Sequence, residues 1–360
     1  MGIVRFLLAF SVLLSHLPPA TFHFISGALG VQAFYIVSGF YMALILDEKY
    51  ADTRLFYSNR LLRLAPAYFA VMLIGIVVLI AFNMTVTSSA GIFEAALSNP
   101  LTAVVMLFEN IFVIGQHLLY WFSLEGDGSL VFDPEGGLPT ETTAVAWQAL
   151  IVPQSWSLSI ELMFYAVAPW LARKQLWVIA VIAAASIGLR IAGYWIPVEF
   201  GLWQGRLFST ALFMFLFGMI AYRALPLVED LPKWLHGAVL AAMVVLIVFL
   251  PQTGAGYQVQ AWSVYIGIAA GAPFAFALTR NISWDRWIGE MSYPIYLTHL
   301  IVVAGVLIYE VPYPVWSVIG ITLTVSALLM VFVERPVDKW RQARVRRRQI
   351  EREEAAAIVA

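Results

Sequence analysis

Two ionisable side chains, Arg5 and His16, stand eleven residues apart in RFLLAFSVLLSH, and every residue between them is apolar except Ser11 and Ser15. At about 100° and 1.5 Å per residue, a helix brings the pair to within about 20° of one face and separates them by about 16 Å. A neutral imidazole, with an unperturbed pKa of about 6.5, can take a proton from a hydroxyl near pH 7. Ionisable groups inside an apolar span point to a functional site. A histidine that caps a helix end or is satisfied by a neighbour is the plainer alternative.

Four other places put polar chemistry in apolar surroundings. In PQSWSLSIELMFYAVAP, Glu161 lies about seven residues into an apolar run, roughly 10 Å deep at the helical rise. A carboxylate there needs a partner or a proton. His16 at similar depth would supply one, with Glu161 fixing the imidazole tautomer as a base and its orienter do. In NRLLRLAP, Arg60 and Arg63 share a helix face. They either snorkel to the membrane boundary or clamp the phosphates of a nucleotide-type cofactor. In SYPIYLTHL, His299 follows Tyr293 and Tyr296, and a satisfied core histidine is the equal alternative. Ser38-Gly39 in FYIVSGF is either a close approach to a ligand or a helix-packing notch. His23, His117 and His236 receive no role, and no HExxH, GxSxG, Walker or dinucleotide motif is present.

The elements that must position these groups are membrane spans. Of 360 residues, 61% are hydrophobic and only 12% charged, about half the charged fraction of a soluble domain. There is no cysteine, so disulfides, iron–sulfur clusters and a thiol nucleophile are excluded. The first apolar run is not followed by a small-x-small cleavage site, because Pro18-Pro19 interrupts it. Apolar runs predict ten spans, near 3–17, 27–46, 64–82, 154–171, 175–196, 205–222, 236–251, 260–279, 289–309 and 314–334.

Loop charge sets their orientation. If 101–122 does not cross, the basic segments 47–63, 172–174, 223–233, 280–286 and the tail all fall on one side. The opposite loops 83–153, 197–204, 252–259 and 310–313 then hold no Lys or Arg, as the positive-inside rule requires. Both termini are therefore expected in the cytoplasm, with 101–122 re-entrant or interfacial, as Glu109, Asn110, Gln116 and His117 suggest. The acidic loop 123–153 (Glu125, Asp127, Asp133, Glu135, Glu141) is a solvated loop or a lid over an external substrate. The basic tail after 336 is expected to rest on anionic headgroups. The fold class is thus all-α, a polytopic bundle of about ten helices over 1–336 with a cytoplasmic tail at 337–360.

Taken in order, Arg5-x10-His16, FYIVSGF (34–40), NRLLRLAP (59–66), SWSLSIELMFY (155–165), SYPIYLTH (292–299) and VERP (333–336) resemble the membrane acyltransferase-3 family. These proteins O-acylate, commonly acetylate, cell-surface and secreted carbohydrates. The likeness runs over about 5–336, and Tyr35 stands where the family often has a second phenylalanine. The resemblance implies His16 as catalytic base with Arg5 as its essential partner and Glu161 in the active cavity. It implies an acyl-CoA donor, by family habit acetyl-CoA, held by Arg60 and Arg63 with Tyr35, Ser38 and Gly39 nearby. Trp156, Tyr293, Tyr296 and His299 are expected to face the carbohydrate or glycolipid acceptor. No metal and no nucleic-acid partner is implied, and the setting is a bacterial inner membrane. The hydroxyl attacks the thioester directly or an acyl group parked on His16 or Ser38. A transporter or flippase of lipid-linked sugars is the competing function, although no internal repeat of the kind many transporters carry is evident. A scaffold that recruits a partner through its tail leaves the buried ionisable groups unexplained.

Overall fold

All ten apolar runs are helical, in a computed structural model that describes residues 1–17, 23–48, 50, 52–83, 91–133, 144–195 and 200–359. Pro18, Pro19, Lys49, Glu135 and Glu141 lie outside the described residues. The first helix, α1 (Gly2–Leu14), starts where the Asp285 carboxylate accepts the backbone N–H groups of Gly2 (2.6 Å) and Ile3 (2.9 Å), donors that a helix start leaves unpaired. It ends at Leu14, and a turn carries Ser15 to Leu17, because a proline at 18 disfavours helical backbone in the residue before it. His16 therefore sits just beyond the helix rather than on its last turn.

Next come α2 (Gly27–Glu48) and α3 (Thr53–Phe82). Asp52 caps α3 by accepting from Arg54 N–H at 2.9 Å. At 30 residues α3 is about 45 Å long; it carries Arg60 and Arg63 on helix, as expected, and begins eleven residues before the expected span, so that Arg54 is helical too. Helices α4 (Gly91–Ser98) and α5 (Pro100–Phe112) meet at 119°, the shape of a broken span or a re-entrant loop. Beyond them a 3-10 turn (Gln116–Trp121) leads into a small antiparallel sheet, β1 (Phe122–Leu124), β2 (Leu130–Phe132) and β3 (Ala144–Val145), in the order β2-β1-β3. This roof is a local β addition to an otherwise helical chain.

The bundle continues through α6 (Trp156–Ala172), α7 (Leu176–Ala192), α8 (Phe200–Arg206), α9 (Phe208–Arg223), α10 (Leu225–Val228), α11 (Lys233–Phe249), α12 (Tyr257–Thr279), α13 (Ser283–Glu290), α14 (Ser292–Ile308), α15 (Pro314–Leu329) and α16 (Arg335–Val359). Among the described residues, seven helices are long and apolar enough to cross a bilayer, or eight if the bent pair counts as one span. The other three expected spans are shorter, with α1 at 13, α6 at 17 and α9 at 16 residues. Those lengths fall below the ~20 residues a bilayer needs; α1 and α9 are packed inside the bundle, where neighbours replace lipid. The centre is α2, apolar on every face as a surrounded helix should be. By contrast α3 and α11 present exposed Leu73, Val77, Ile80 and Val245 outward.

The last two helices join through a π-turn at Met330–Glu334. Pro336 has no N–H and its ring crowds the carbonyl four residues back, so a wider turn relieves the strain. The start of α16 docks on α3. Arg344 donates to Ser58 Oγ (3.1 Å) and Asn59 Oδ1 (3.5 Å), and Arg341 to the Asn59 carbonyl (3.4 Å). The molecule thus has a basic end, with α16 and the start of α3, and a sheet end under the roof.

Candidate active site

His16 and His299 face one another with ring centroids 4.9 Å apart and planes inclined at 56°. His16 Nδ1 lies 2.8 Å from the Val12 carbonyl, and His299 Nδ1 lies 2.7 Å from the Tyr296 carbonyl. A carbonyl can only accept, so in each neutral ring Nδ1 carries the proton and Nε2 keeps its lone pair. His299 is buried and its Nε2 has no partner among the described residues, whereas His16 is exposed. Two free Nε2 lone pairs therefore belong to one imidazole pair.

Glu161 is not the group that orients His16. Its Oε1 accepts from Ser38 Oγ (2.7 Å) and Tyr165 Oη (2.5 Å). The carboxylate thus finds the donors it needs on α2 and on the next turn of its own helix, while the Val12 carbonyl fixes the His16 tautomer. Gly39, adjacent to Ser38, is absorbed by packing. A Cβ there would lie 1.9 Å from the Phe215 carbonyl oxygen, and one at Gly218 would lie 1.9 Å from that of Ile36. The two glycines let α2 and α9 touch backbone to backbone, so Gly39 serves the crossing and Ser38 serves Glu161.

The start of α6 is tied to α14. Tyr296 Oη donates to the Gln154 carbonyl at 2.5 Å and accepts from Ser157 Oγ at 2.6 Å. Gln154 Nε2 donates to the Leu297 carbonyl at 2.5 Å. Tyr296 lies beside His299, with ring centroids 5.8 Å apart. Tyr35 stacks on Phe215 at 4.6 Å, and its buried hydroxyl has no partner among the described residues. It is within electrostatic reach of Tyr296, Arg206 and Glu161. Tyr293, one turn nearer the basic end, donates to the Leu64 carbonyl at 2.9 Å and so braces α14 on α3, away from His299.

At the basic end Arg5 donates to Ser292 Oγ (3.0 Å) and lies 5.9 Å from the Tyr41 ring centre. Arg63 pairs with Glu334 at 3.4 Å across the π-turn, and Arg60 stands over Phe56 at 6.0 Å with its Nε buried and unpaired among the described residues. Arg5, Arg63, Glu334 and Glu161 are electrostatic neighbours. The order Arg63–Glu334, Arg5, Glu161–Ser38, Tyr35–Tyr296, His299–His16 is a polar column from the basic end toward the roof. It suits an anionic group at the basic end and a proton transfer near the roof.

Sequence reasoning missed Glu334, Tyr165, Gln154, Ser157 and Arg206. Arg206 carried a signal, being a lone cation opening the apolar run 205–222. Its guanidinium carbon sits 3.7 Å from the Tyr120 ring centre and 3.6 Å from that of Trp156. His117, given no role, has Nδ1 2.9 Å from Ser159 Oγ, which also accepts from Gly115 N–H at 2.8 Å. Burial under the roof, with nearby Arg206 adding to it, pushes the His117 pKa down to about 4.

A family model described as an acyltransferase domain matches residues 1–333. The chain is also similar to the exopolysaccharide production protein ExoZ of Rhizobium meliloti (strain 1021), at 28% identity over 172 residues. That match covers 48% of this chain and 43% of ExoZ, less than half the length of the relative. No solved structure matches.

Proposed function

The chain belongs to this acyltransferase family, a multi-pass membrane family, and on that premise we propose that it O-acylates an exported carbohydrate with acyl-CoA as donor, His16 being the general base. The observation that carries the reading is the His16 ring itself, whose Nδ1–H is held by the Val12 carbonyl so that Nε2 is free to accept a proton. ExoZ, by its name a protein of exopolysaccharide production, supports a polysaccharide acceptor at the cell surface.

In this reading the CoA phosphates dock at the basic end, which faces the cytoplasm. Arg60 offers an unpaired N–H there, and Arg63 exchanges Glu334 for phosphate. The thioester reaches along the polar column toward His16. An acceptor hydroxyl approaches from the sheet end and His16 Nε2 takes its proton. The oxygen attacks the thioester carbonyl, the C–S bond breaks, and the departing thiolate receives the proton from the imidazolium. His299 stands against that imidazolium with an unprotonated Nε2 and can share the charge. Glu161 holds Ser38 and Tyr165 in place and adds negative potential to the column. By family habit the acyl group is acetyl, and the setting is a bacterial inner membrane with both termini inside.

The test is turnover of purified protein with labelled acetyl-CoA and extracted exopolysaccharide. His16→Ala should lower the rate by roughly 10²–10⁴, the usual range for a general base, with the melting temperature unchanged. Wild-type protein that moves sugar across vesicles but transfers no label would favour the flippase and overturn the acyltransfer reading.

A further inference from the structure

Apart from Arg5, which opens the first span, Arg190 and Arg206 are the Lys or Arg residues that fall outside the basic segments. The structure treats the two differently. Arg190 is buried and satisfied. It donates from Nη1 to the Gln204 carbonyl at 2.6 Å and from Nη2 to Tyr265 Oη at 3.1 Å. Arg206 ends α8 and is seated in the corner made by Tyr120 and Trp156, whose rings are inclined at 73°. Among the described residues its buried Nη1 has no hydrogen-bond partner and no carboxylate forms a salt bridge with it.

The guanidinium is lodged between two aromatic faces, and a buried N–H left without an acceptor is unfavourable. Such a group is preorganised for a planar anion, because its fork matches a carboxylate through two parallel hydrogen bonds. Its surroundings are suited to a sugar. Tyr120 stacks on Trp147 at 5.0 Å, Trp121 stacks on the exposed Phe132 at 6.4 Å, and Trp203 completes the cluster. Flat apolar rings beside a few placed polar groups are how small polar ligands are held. The cluster connects to the imidazole pair through Ser157, which follows Trp156 and bonds Tyr296 Oη at 2.6 Å, the Tyr296 ring in turn lying 5.8 Å from that of His299.

We propose that Arg206, with Tyr120 and Trp156, forms an acceptor subsite that binds the carboxylate of an acidic sugar, placing a hydroxyl of the same glycan toward His16. This deepens the acyltransfer reading and rests on it for the identity of the ligand as acceptor. Binding is measured without any donor, so the two stand or fall separately. The probes are trigalacturonate and its carboxyl-reduced counterpart, titrated into the full-length protein in detergent with tryptophan fluorescence as readout. Wild type should bind the acid at least tenfold more tightly than the reduced form. Arg206→Gln should remove that preference, and Arg206→Lys, which keeps the charge but loses the fork, should restore only part of it. Equal affinity of wild type for both probes, or no binding of trigalacturonate, overturns the proposal without needing a folded variant. An unchanged preference in Arg206→Gln with an unchanged melting temperature overturns it as well. His16→Ala should keep acid binding; intact acid selectivity in wild-type protein that itself transfers no acyl group would remove the acyltransfer reading and leave the anion subsite standing.

Discussion

A histidine becomes a directed base when one ring nitrogen is spoken for, and at His16 a backbone carbonyl four residues earlier does this. The spacing of Arg5 and His16 was readable from the sequence, and so was the need of Glu161 for partners. Which partners it takes was not readable. Ser38 reaches Glu161 only because α2 and α6 pack face to face, whereas Tyr165 is one turn along the same helix; His299 reaches His16 only because α1 stops before Pro18. At the basic end the bond between Arg63 and Glu334 competes with any phosphate. Arg63→Ala should therefore raise the KM for acyl-CoA with little change in kcat, since it removes binding made equally in ground and transition states. Glu334→Gln should lower that KM by freeing Arg63. Steady-state kinetics of the two variants decide the matter, and KM values that move together would contradict the clamp.

Helix crossings do the positioning. The sequence left Ser38-Gly39 open between ligand contact and packing notch, and the structure divides the pair between them. Gly39→Ala would drive a methyl into the Phe215 carbonyl, where both partners are backbone and neither can turn aside. Overpacking of this kind costs at least ~1–3 kcal/mol, so thermal melting in detergent should fall by several degrees, and an unchanged melt would show that α2 and α9 can part. The roof responds to pH. His117 is held near a pKa of about 4 in the folded chain, against about 6.5 when unfolded. The unfolded state binds the extra proton between those values, so stability from this group is complete above pH 6.5 and is lost as pH falls toward 4. The full effect is of order 3 kcal/mol. Melting temperature should drop more between pH 7 and 5 in wild type than in His117→Gln; equal drops would place the titration elsewhere. None of this was legible beforehand, because the burial of His117 comes from contacts more than 40 residues away in sequence.

Across the whole molecule, hydropathy alone located the ten apolar helices, though not the short α4, α10 and α13 between them. It overstated how many are long enough to cross, because a run of apolar residues looks alike whether lipid or protein surrounds it. Helices α1 and α9 are of the second kind. Charge segregation was equally legible: basic residues gather where α16 meets α3, while the roof end holds aromatic rings and Arg206, which has no carboxylate partner among the described residues. In the proposed function, a donor bound at one end and an acceptor at the other would make the bundle a route for an acyl group alone. The most direct test uses sealed membrane vesicles of both orientations with radiolabelled acetyl-CoA, comparing wild type with His16→Ala. Label should enter carbohydrate only in wild type, and only when acetyl-CoA is supplied to the face that was cytoplasmic. Transfer that persists in His16→Ala, or that proceeds equally with donor on either face, would contradict the central claim.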